Sequence, residues 1–307
     1  MVKKIIILVL VFFVADFGVY KLLKSGIIKY YGLEKKARIL CVGHSQTVLG
    51  IDAEKLEESL GVPVAKYAIA GANVLDRFWM IKHYLNMNPN VRTVIYGVDA
   101  RMFDSEGLSS ASYTLFLPFI NNHVMEQYLR KQATPEEFYT CKFIKTARFR
   151  DQTLNIALRG LLNHIENKKV SRVRIEDKES YLERERKHKV RINTKSVECF
   201  NKTMRYLSSL GKTVLLVNIP VIDLLNEIDI ANQKKAIKIF QAAAKRYKGV
   251  YFLDYNQDYE HDHQLFFDLR HLNEQGNLKV TNRLIQDLRR IEAVSGSIGV
   301  EHGNSQM

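Results

Sequence analysis

The sequence Ile-Leu-Cys-Val-Gly-His-Ser-Gln occupies residues 39–46, where an apolar run gives way to a polar turn. A short uncharged run that ends in glycine predicts a parallel strand buried on both faces. Glycine at position 43 permits a tight exit from that strand, which places Ser45 at the carboxyl edge of the sheet with its hydroxyl exposed. Such serines are also common where the side chain only ends a turn. A catalytic role for Ser45 therefore requires partner side chains from elsewhere in the chain.

Further strands and helices alternate with this first strand. Apolar runs predict strands over 64–70, 91–98, 213–219 and 250–253. Capping residues and amphipathic spacing predict helices over 52–60, 73–87 and 273–291. Strands that alternate with helices at this spacing predict an α/β fold, a doubly wound parallel sheet of about five strands.

The segment 101–193 interrupts the alternation and predicts a large insertion after the third strand, mostly helical or loop. Within it, residues 142–193 hold 15 Lys and Arg against 7 Asp and Glu, in a chain whose net charge is +13. Insertions at the carboxyl ends of parallel strands lie beside the ligand crevice, so this one is either a solvated helical cap or a binding surface. Because no recognisable nucleic-acid module accompanies the charge, we expect no nucleic acid partner.

The amino terminus has the pattern of a targeting segment. Lys3 and Lys4 precede an apolar run over 5–15, and Asp16 separates that run from a second one over 17–20. A basic n-region followed by an apolar h-region directs export, and no small-x-small cleavage site follows. We therefore predict an uncleaved signal anchor, with a buried first helix of a soluble domain as the alternative.

The predicted organisation is an anchor over 1–24, a basic juxtamembrane linker over 25–37, an α/β domain over 38–292 and a disordered Gly- and Ser-rich tail over 293–307. We expect the α/β domain to be extracytoplasmic. Six Lys and Arg between residues 21 and 38 outnumber the two lysines before the apolar run, and a positive-inside count favours the opposite orientation. That count leaves open a basic adaptor anchored to the inner leaflet of the membrane.

A second polar block, Asp268-Leu-Arg-His271, lies near the carboxyl terminus and continues as Leu-Asn-Glu-Gln-Gly276. Residues three apart in a turn lie on the same side, so the Asp268 carboxylate can reach one imidazole nitrogen of His271. The other nitrogen is then free to take a proton from Ser45. Each block is common by chance, but a parallel sheet can bring both to one edge. Together they predict a catalytic triad, which requires no metal and no organic cofactor.

These two blocks resemble those of the SGNH (GDSL-like) hydrolase superfamily, in which G-D-S follows the first strand and D-x-x-H lies near the carboxyl terminus. The resemblance implies a flavodoxin-like sheet. In this chain His44 replaces the usual aspartate before the serine. The family also has an oxyanion-hole glycine after the second strand, a position that Gly71 occupies here, and G-x-N-D after the third strand, where this chain has Gly97-Val-Asp99.

An ionised Asp99 would repel a developing oxyanion, so the standard oxyanion hole is not expected. We expect the backbone N–H groups of Ser45 and Gly71 instead, with the Asn73 side chain as a substitute donor. A plain helix cap is the alternative for Asn73. For Asp99 we prefer a turn or cap residue that holds the insertion.

Other polar residues near the predicted site are candidates for substrate contact, namely His44, Asp99 and Arg270. Arg270 could bind a substrate anion, pair with Asp99 or be a surface cation. His261 and His263 could hold a metal, but a third ligand of clear spacing is missing. A solvated loop is the preferred interpretation of that segment, and no metal site is predicted.

The anchor, the serine block and the large insertion resemble the cell-envelope acyl-transfer proteins, such as the D-alanine transfer protein of teichoic acid modification and the alginate acetylation proteins. The resemblance covers 38–100 and 212–290, and it implies an acylated polysaccharide or glycopolymer substrate and a membrane-bound O-acyltransferase partner. We expect a membrane-anchored serine esterase or O-acyltransferase. The alternative is a catalytically inactive accessory or binding subunit of an envelope assembly.

Overall fold

A sheet of five parallel strands forms the centre of the computed structural model, which describes residues 1–104, 112–163, 178–187 and 190–295. The strand order is β2-β1-β3-β4-β5. The strands are β1 Ile39–Gly43, β2 Val64–Ala68, β3 Thr93–Val98, β4 Thr213–Asn218 and β5 Val250–Asp254. The predicted doubly wound α/β class is therefore confirmed.

Helices cover both faces of this sheet, because alternate residues of each strand point to opposite sides. One core contains Leu40 and Val42 of β1. It lies under α4 Val74–Met87, α9 Thr194–Ser209 and α11 Ile230–Arg246. The other core contains Ile39 and Cys41 and lies under α3 Ala53–Leu60 and α13 Glu274–Ser295. Three short helices follow β1, β4 and β5, namely α2 Ser45–Gly50, α10 Asp223–Ile228 and α12 Asn256–Tyr259.

Where the structure describes it, the insertion after β3 is mostly helical, as predicted. Its helices are α5 His123–Gln132, α6 Pro135–Phe143, α7 Asp151–Leu161 and α8 Lys178–Lys187, with 3-10 helices at Ala100–Phe103, Ser112–Phe119 and Thr146–Arg148. Phe116, Tyr128 and Phe138 join it to the first core. Residues 164–177 and 188–189 of the basic stretch lie outside the described residues, so a binding role for that charge stays a prediction.

The first helix, α1 Val2–Tyr31, is 30 residues long. Of the helices in the described ranges, it is the one long and apolar enough to cross a membrane. Residues 1–15 are exposed, including the large apolar side chains of the predicted anchor. The expectation of a linker over 25–37 is wrong. Ile27, Tyr31 and Leu33 are buried in the first core, so the second half of α1 belongs to the folded domain.

Two contacts dock α1 onto the insertion. The Asp16 carboxylate accepts hydrogen bonds from the backbone N–H groups of Lys145 (2.8 Å) and Thr146 (2.7 Å). Further along, α1 crosses α7 so closely that a Cβ on Gly26 would lie 2.1 Å from the Ala157 carbonyl oxygen. The aspartate that interrupts the apolar run is therefore a bonded docking residue.

The carboxyl-terminal helix α13 continues to Ser295, beyond the predicted end of the domain. The rest of the predicted disordered tail, residues 296–307, lies outside the described residues.

Candidate active site

Ser45, the candidate nucleophile, is the first residue of a short helix, α2 Ser45–Gly50, which the sequence did not predict. The reason lies in His44, whose ring nitrogen Nδ1 accepts a hydrogen bond from the Gln46 N–H at 3.0 Å. This N-cap satisfies one backbone donor of the first turn. Ser45 at the first helical position keeps an N–H that no helical carbonyl can accept.

Two glycines allow this helix to sit directly on the sheet. A Cβ on Gly43 would lie 1.9 Å from Thr47 Oγ1, and a Cβ on Gly97 would lie 2.0 Å from the same atom. Thr47 is only 1% exposed and has no room to move. The glycine before the nucleophile is thus required by contact with the next turn, and a glycine on the neighbouring strand is required for the same reason.

The three residues of the predicted triad lie together. His271 Nε2 is 2.8 Å from Ser45 Oγ. On the other side of the ring, His271 Nδ1 is 2.8 Å and 2.9 Å from the two Asp268 carboxylate oxygens. The backbone N–H groups of Arg270 and His271 donate to the same carboxylate at 2.8 Å and 2.9 Å, which fixes its orientation. Nucleophile, base and orienting acid are within hydrogen-bond reach in one conformation.

The ionisation of Asp268 determines which tautomer of His271 fits the triad. Burial opposes ionisation of Asp268, but the hydrogen bonds from His271 and from two backbone N–H groups outweigh it, and the pKa of this carboxyl is lowered. An ionised Asp268 accepts from a protonated Nδ1, and the neutral tautomer that fits this contact presents the Nε2 lone pair to the Ser45 hydroxyl. This tautomer is the one that general-base catalysis requires.

A second His–Asp pair lies beside the triad. His44 Nε2 is 2.6 Å from Asp99 Oδ2, and Arg77 Nη2 lies 3.8 Å from the same oxygen. Because Nδ1 of His44 accepts the Gln46 N–H, the ring proton is on Nε2 and is donated to Asp99. Burial lowers the pKa of His44. Burial also opposes ionisation of Asp99, but His44, Arg77 and Arg270 together hold its pKa below the usual range.

These contacts bear on two expectations. Asp99 takes the N-cap position of the 3-10 helix that follows it, as a turn or cap residue would, but its side chain makes no capping hydrogen bond and contacts His44 instead. Both nitrogens of His44 bond within the protein and the residue is 6% exposed, so its ring has no free nitrogen for the predicted substrate contact. The Asp99 carboxylate accepts a hydrogen bond from His44 and lies beside the buried guanidinium of Arg77. Asp99 is therefore not the unpaired carboxylate that the sequence suggested would face the oxyanion.

The predicted oxyanion donors divide into two groups. Gly71 lies in a turn after β2 with φ 83°, closed by a hydrogen bond from Ala72 N–H to Ile69 O. This turn is at the same sheet edge as Ser45. Asn73 instead caps α4: its Oδ1 accepts the N–H groups of residues 75 and 76, and its Nδ2 donates to Ser112 Oγ at 3.2 Å. The structure therefore supports the helix cap that the sequence offered as the alternative.

The remaining candidates lie around the same edge. His261 and His263 each contact Asp223, at 2.8 Å, so they hold the loop after β4. Arg270 lies close enough to Asp99 to help lower its pKa, as one of its predicted roles required. Arg77 was missed by sequence reasoning, because a charged residue in an amphipathic helix is ordinarily taken to face solvent, whereas here it is fully buried.

No protein-family model matches the sequence, and no curated protein is significantly similar to it. Among solved structures, the chain is similar to a Streptococcus pneumoniae protein provisionally described as a platelet activating factor (TM-score 0.45, 11% identity, covering 93% of this chain and 99% of that one). It is also similar to a GDSL-like lipase from Bacteroides thetaiotaomicron (0.40, 11%, 85% and 90%) and to a mutant acetyl-xylooligosaccharide esterase from Geobacillus (0.40, 10%, 83% and 94%). Likeness at this level assigns no activity, and the chemistry is assigned from the side chains.

Proposed function

We propose that this chain is a serine-dependent esterase or O-acyltransferase of the SGNH type. The observation that carries the proposal is the 2.8 Å contact between His271 Nε2 and Ser45 Oγ, with Asp268 on the opposite ring nitrogen. Neither the sequence spacing nor the fold requires residues 226 positions apart to meet in this orientation. An arrangement with nucleophile, base and orienting acid in hydrogen-bond reach is what acyl transfer through a covalent intermediate needs.

In the proposed reaction His271 Nε2 takes the Ser45 proton as Oγ attacks the ester carbonyl. The tetrahedral intermediate collapses when the leaving alcohol takes that proton from His271. The acyl group stays on Ser45 until water or a second alcohol attacks it with the same base. Asp268 keeps the ring oriented and stabilises the imidazolium that forms in each half.

The backbone N–H groups of Ser45 and Gly71 are the proposed oxyanion donors. Ser45 supplies an N–H of the first helical turn, which no carbonyl of that helix can accept, and Gly71 lies in a turn at the same sheet edge. Asn73 is left out, because its side chain is occupied at the start of α4. A hole made of backbone groups needs no side-chain donor at position 99, where Asp99 is bonded to His44 instead.

We also propose that α1 anchors the domain in a membrane, on its extracytoplasmic side. Residues 2–15, all of them exposed, span about 21 Å as a helix. A hydrocarbon layer of roughly 30 Å needs about 20 residues. The exposed stretch therefore covers about two thirds of that layer, and Asp16, bonded to Lys145 and Thr146, marks the point where α1 meets the folded domain.

For an anchored, extracytoplasmic enzyme of this kind, the proposed substrate is an acylated cell-envelope polysaccharide or glycopolymer. The proposed partner is a membrane-bound O-acyltransferase. Both follow from the resemblance to envelope acyl-transfer proteins, and the exposed apolar length of α1 is compatible with them.

A fluorophosphonate probe tests the catalytic proposal, because it reacts with serines that a neighbouring base activates. We expect stoichiometric labelling of the detergent-solubilised full chain at Ser45, and loss of labelling in Ser45→Ala and His271→Ala. Ser209→Ala is the matched control, since its exposed hydroxyl donates to the Tyr206 carbonyl oxygen of its own helix. A folded wild-type chain that is not labelled would favour the inactive accessory subunit. Protease added to intact cells tests the orientation, and complete protection of the domain would support the inner-leaflet adaptor.

A further inference from the structure

Arg77 is a charged side chain inside the domain that the acylation chemistry above does not use. It lies near the start of α4 and is 0% exposed. A buried guanidinium is unfavourable unless hydrogen bonds and an opposite charge compensate for the lost water. The partners of Arg77 therefore indicate why a charge is held at this position.

Three segments at the catalytic edge of the sheet contact this one guanidinium. Nε donates to the Ala72 carbonyl oxygen at 3.2 Å, and Nη1 donates to the Gly97 carbonyl oxygen at 2.9 Å. Nη2 lies 3.8 Å from Asp99 Oδ2. These three partners belong to the turn after β2, the end of β3 and the residue that follows β3. Because a guanidinium is planar and rigid, its contacts fix how far apart the segments lie.

The first of these contacts holds the turn that carries Gly71. The peptide unit between Ala72 and Asn73 is bonded on both sides. Its carbonyl oxygen accepts from Arg77 Nε, and its N–H donates to Asp76 Oδ2 at 2.8 Å. Neither bond uses the Gly71 N–H, so the turn is fixed around the proposed oxyanion donor while that donor is left for the substrate.

The other two contacts lead to α2, the helix that carries the nucleophile. Asp99 accepts a hydrogen bond from His44, and His44 caps the first turn of α2. Gly97 lies directly under the same turn, since a Cβ at this position would be 2.0 Å from Thr47 Oγ1. One guanidinium therefore connects the turn after β2 to both residues that support α2.

The charge of Arg77 has a second effect at this edge. An ionised Asp99 with no counter-charge would oppose the negative charge that develops on the oxyanion nearby. Arg77 places a positive charge 3.8 Å from that carboxylate. The two charges largely cancel at the distance of the oxyanion, so Asp99 is able to hold His44 without opposing acyl transfer.

We propose that Arg77 is a positioning residue, which holds the N–H groups of Ser45 and Gly71 at the spacing that the tetrahedral intermediate requires. The proposal rests on the proposed function and adds to its site a residue that touches neither the substrate nor the reacting atoms. The ester carbonyl oxygen carries little charge until Ser45 Oγ has bonded to the acyl carbon. A change at Arg77 should therefore weaken binding of the intermediate and leave binding of the ester nearly unchanged.

The test compares turnover with the binding of a stable oxyanion. Arg77→Lys keeps the charge but has one nitrogen in place of a fork, and it cannot bond to Ala72 and Gly97 in the same way. A trifluoromethyl ketone forms a hemiketal when Ser45 Oγ bonds to its carbonyl carbon, its oxygen becomes the oxyanion and the Ser45 proton moves to His271. With the solubilised full chain, the measured quantities are its inhibition constant and the kcat and KM for p-nitrophenyl acetate.

We expect Arg77→Lys to lower kcat about 10- to 10²-fold and to raise the inhibition constant by a similar factor. KM should stay within about twofold, because both half-reactions pass through the same oxyanion hole. Tyr96→Leu is a milder second variant, since it removes the ring whose centroid lies 5.8 Å from Cζ of Arg77, and it should change kcat and the inhibition constant in the same direction. Ile81→Ala is the matched control, because Ile81 is equally buried one turn further along α4. It should lower the melting temperature and leave both constants of the folded protein unchanged.

Folded Arg77→Lys and Tyr96→Leu chains with the wild-type kcat and inhibition constant would overturn the positioning role and leave the serine esterase in place. A fall in kcat without a rise in the inhibition constant would overturn it too. So would an equal loss of turnover per folded molecule in Ile81→Ala, since the loss would then follow from stability alone. A wild-type chain that neither hydrolyses p-nitrophenyl acetate nor takes up fluorophosphonate would overturn both proposals. The melting temperature of each variant, measured on the same preparation, establishes that it is folded.

Discussion

Replacing Gly97 by alanine should displace the nucleophile without touching it. The new Cβ would lie 2.0 Å from Thr47 Oγ1, and Thr47, at 1% exposure, has no space to yield. Overpacking of this kind costs about 1–3 kcal/mol. The first turn of α2 must move to relieve it, and a displacement of about 1 Å between nucleophile and base lowers turnover about 10²-fold.

The same geometry predicts which second substitution restores activity. Thr47→Ala removes Oγ1, and the nearest remaining atom of residue 47, its Cβ, lies 3.4 Å from the new methyl group at position 97, an acceptable contact. From a methyl group on Gly43 the same Cβ lies only 2.6 Å away. Thr47→Ala should therefore rescue Gly97→Ala and fail to rescue Gly43→Ala. By itself Thr47→Ala should cost about 1 kcal/mol for the lost methyl group.

Urea unfolding in detergent gives the stability of each variant, and p-nitrophenyl acetate hydrolysis with fluorophosphonate labelling gives its activity. The double variant Gly97→Ala/Thr47→Ala should regain most of both, since alanine is also better than glycine within a strand. Wild-type stability and labelling in Gly97→Ala would refute the contact argument. Equal rescue of the two glycine substitutions would refute it as well, because the distances distinguish them.

Four other residues or pairs lead to separate expectations. Asp268→Asn should lower ester turnover by about 10²- to 10⁴-fold, less than loss of the nucleophile, because the wrong imidazole tautomer becomes favoured; an unchanged rate would remove Asp268 from the triad. Asn73→Ala should lower the free energy of unfolding by about 1 kcal/mol and leave the turnover of the folded fraction intact; a 10²-fold turnover loss at unchanged stability would reinstate an oxyanion role. His44→Asp and Asp99→Asn should each lower the free energy of unfolding, whereas the double variant should regain it. Urea unfolding should give a coupling energy between the two substitutions of about 1–3 kcal/mol, and strictly additive effects would show that the two residues do not act as a pair. Burial lowers the pKa of His83 to about 4 from 6.5, so the unfolded chain binds more protons in that interval and stability should fall as the pH drops from 6.5 to 4. His83→Gln should flatten that decline, and an unchanged slope in urea melts at several pH values would contradict it.

The strands and the triad were predictable because each depends on short-range pattern combined with one topological rule. Runs such as Ile39–Gly43 have the uniform apolarity of a strand buried on both faces. Asp268 and His271 are three residues apart, so their contact is nearly local, and Ser45 reaches them because parallel strands end at a common edge.

Contacts between distant segments were not predictable in this way. The cap that starts α2 depends on the tautomer of His44, and that tautomer depends on Asp99, 55 residues later. In the sequence, His44 and Asp99 were two separate departures from a family pattern, whereas in the fold they are hydrogen-bonded to each other. The assignment of Asn73 was likewise decided by Ser112, in an insertion whose path the periodicity does not give.

The docking of α1 has a consequence for how such an enzyme would meet its substrate. A domain on a flexible tether can turn and sweep a volume, but here Ile27 and Tyr31 of the membrane helix are built into the domain core. The helix is one continuous rod of about 45 Å, with its first half in the proposed bilayer and its second half in the domain. If α1 crosses the membrane as proposed, the catalytic edge stays at one height and one tilt, free only to drift in the plane and to spin about the membrane normal. Reaction would then occur in a thin layer parallel to the surface, and a polymer would be modified only over the part of its length that passes through that layer.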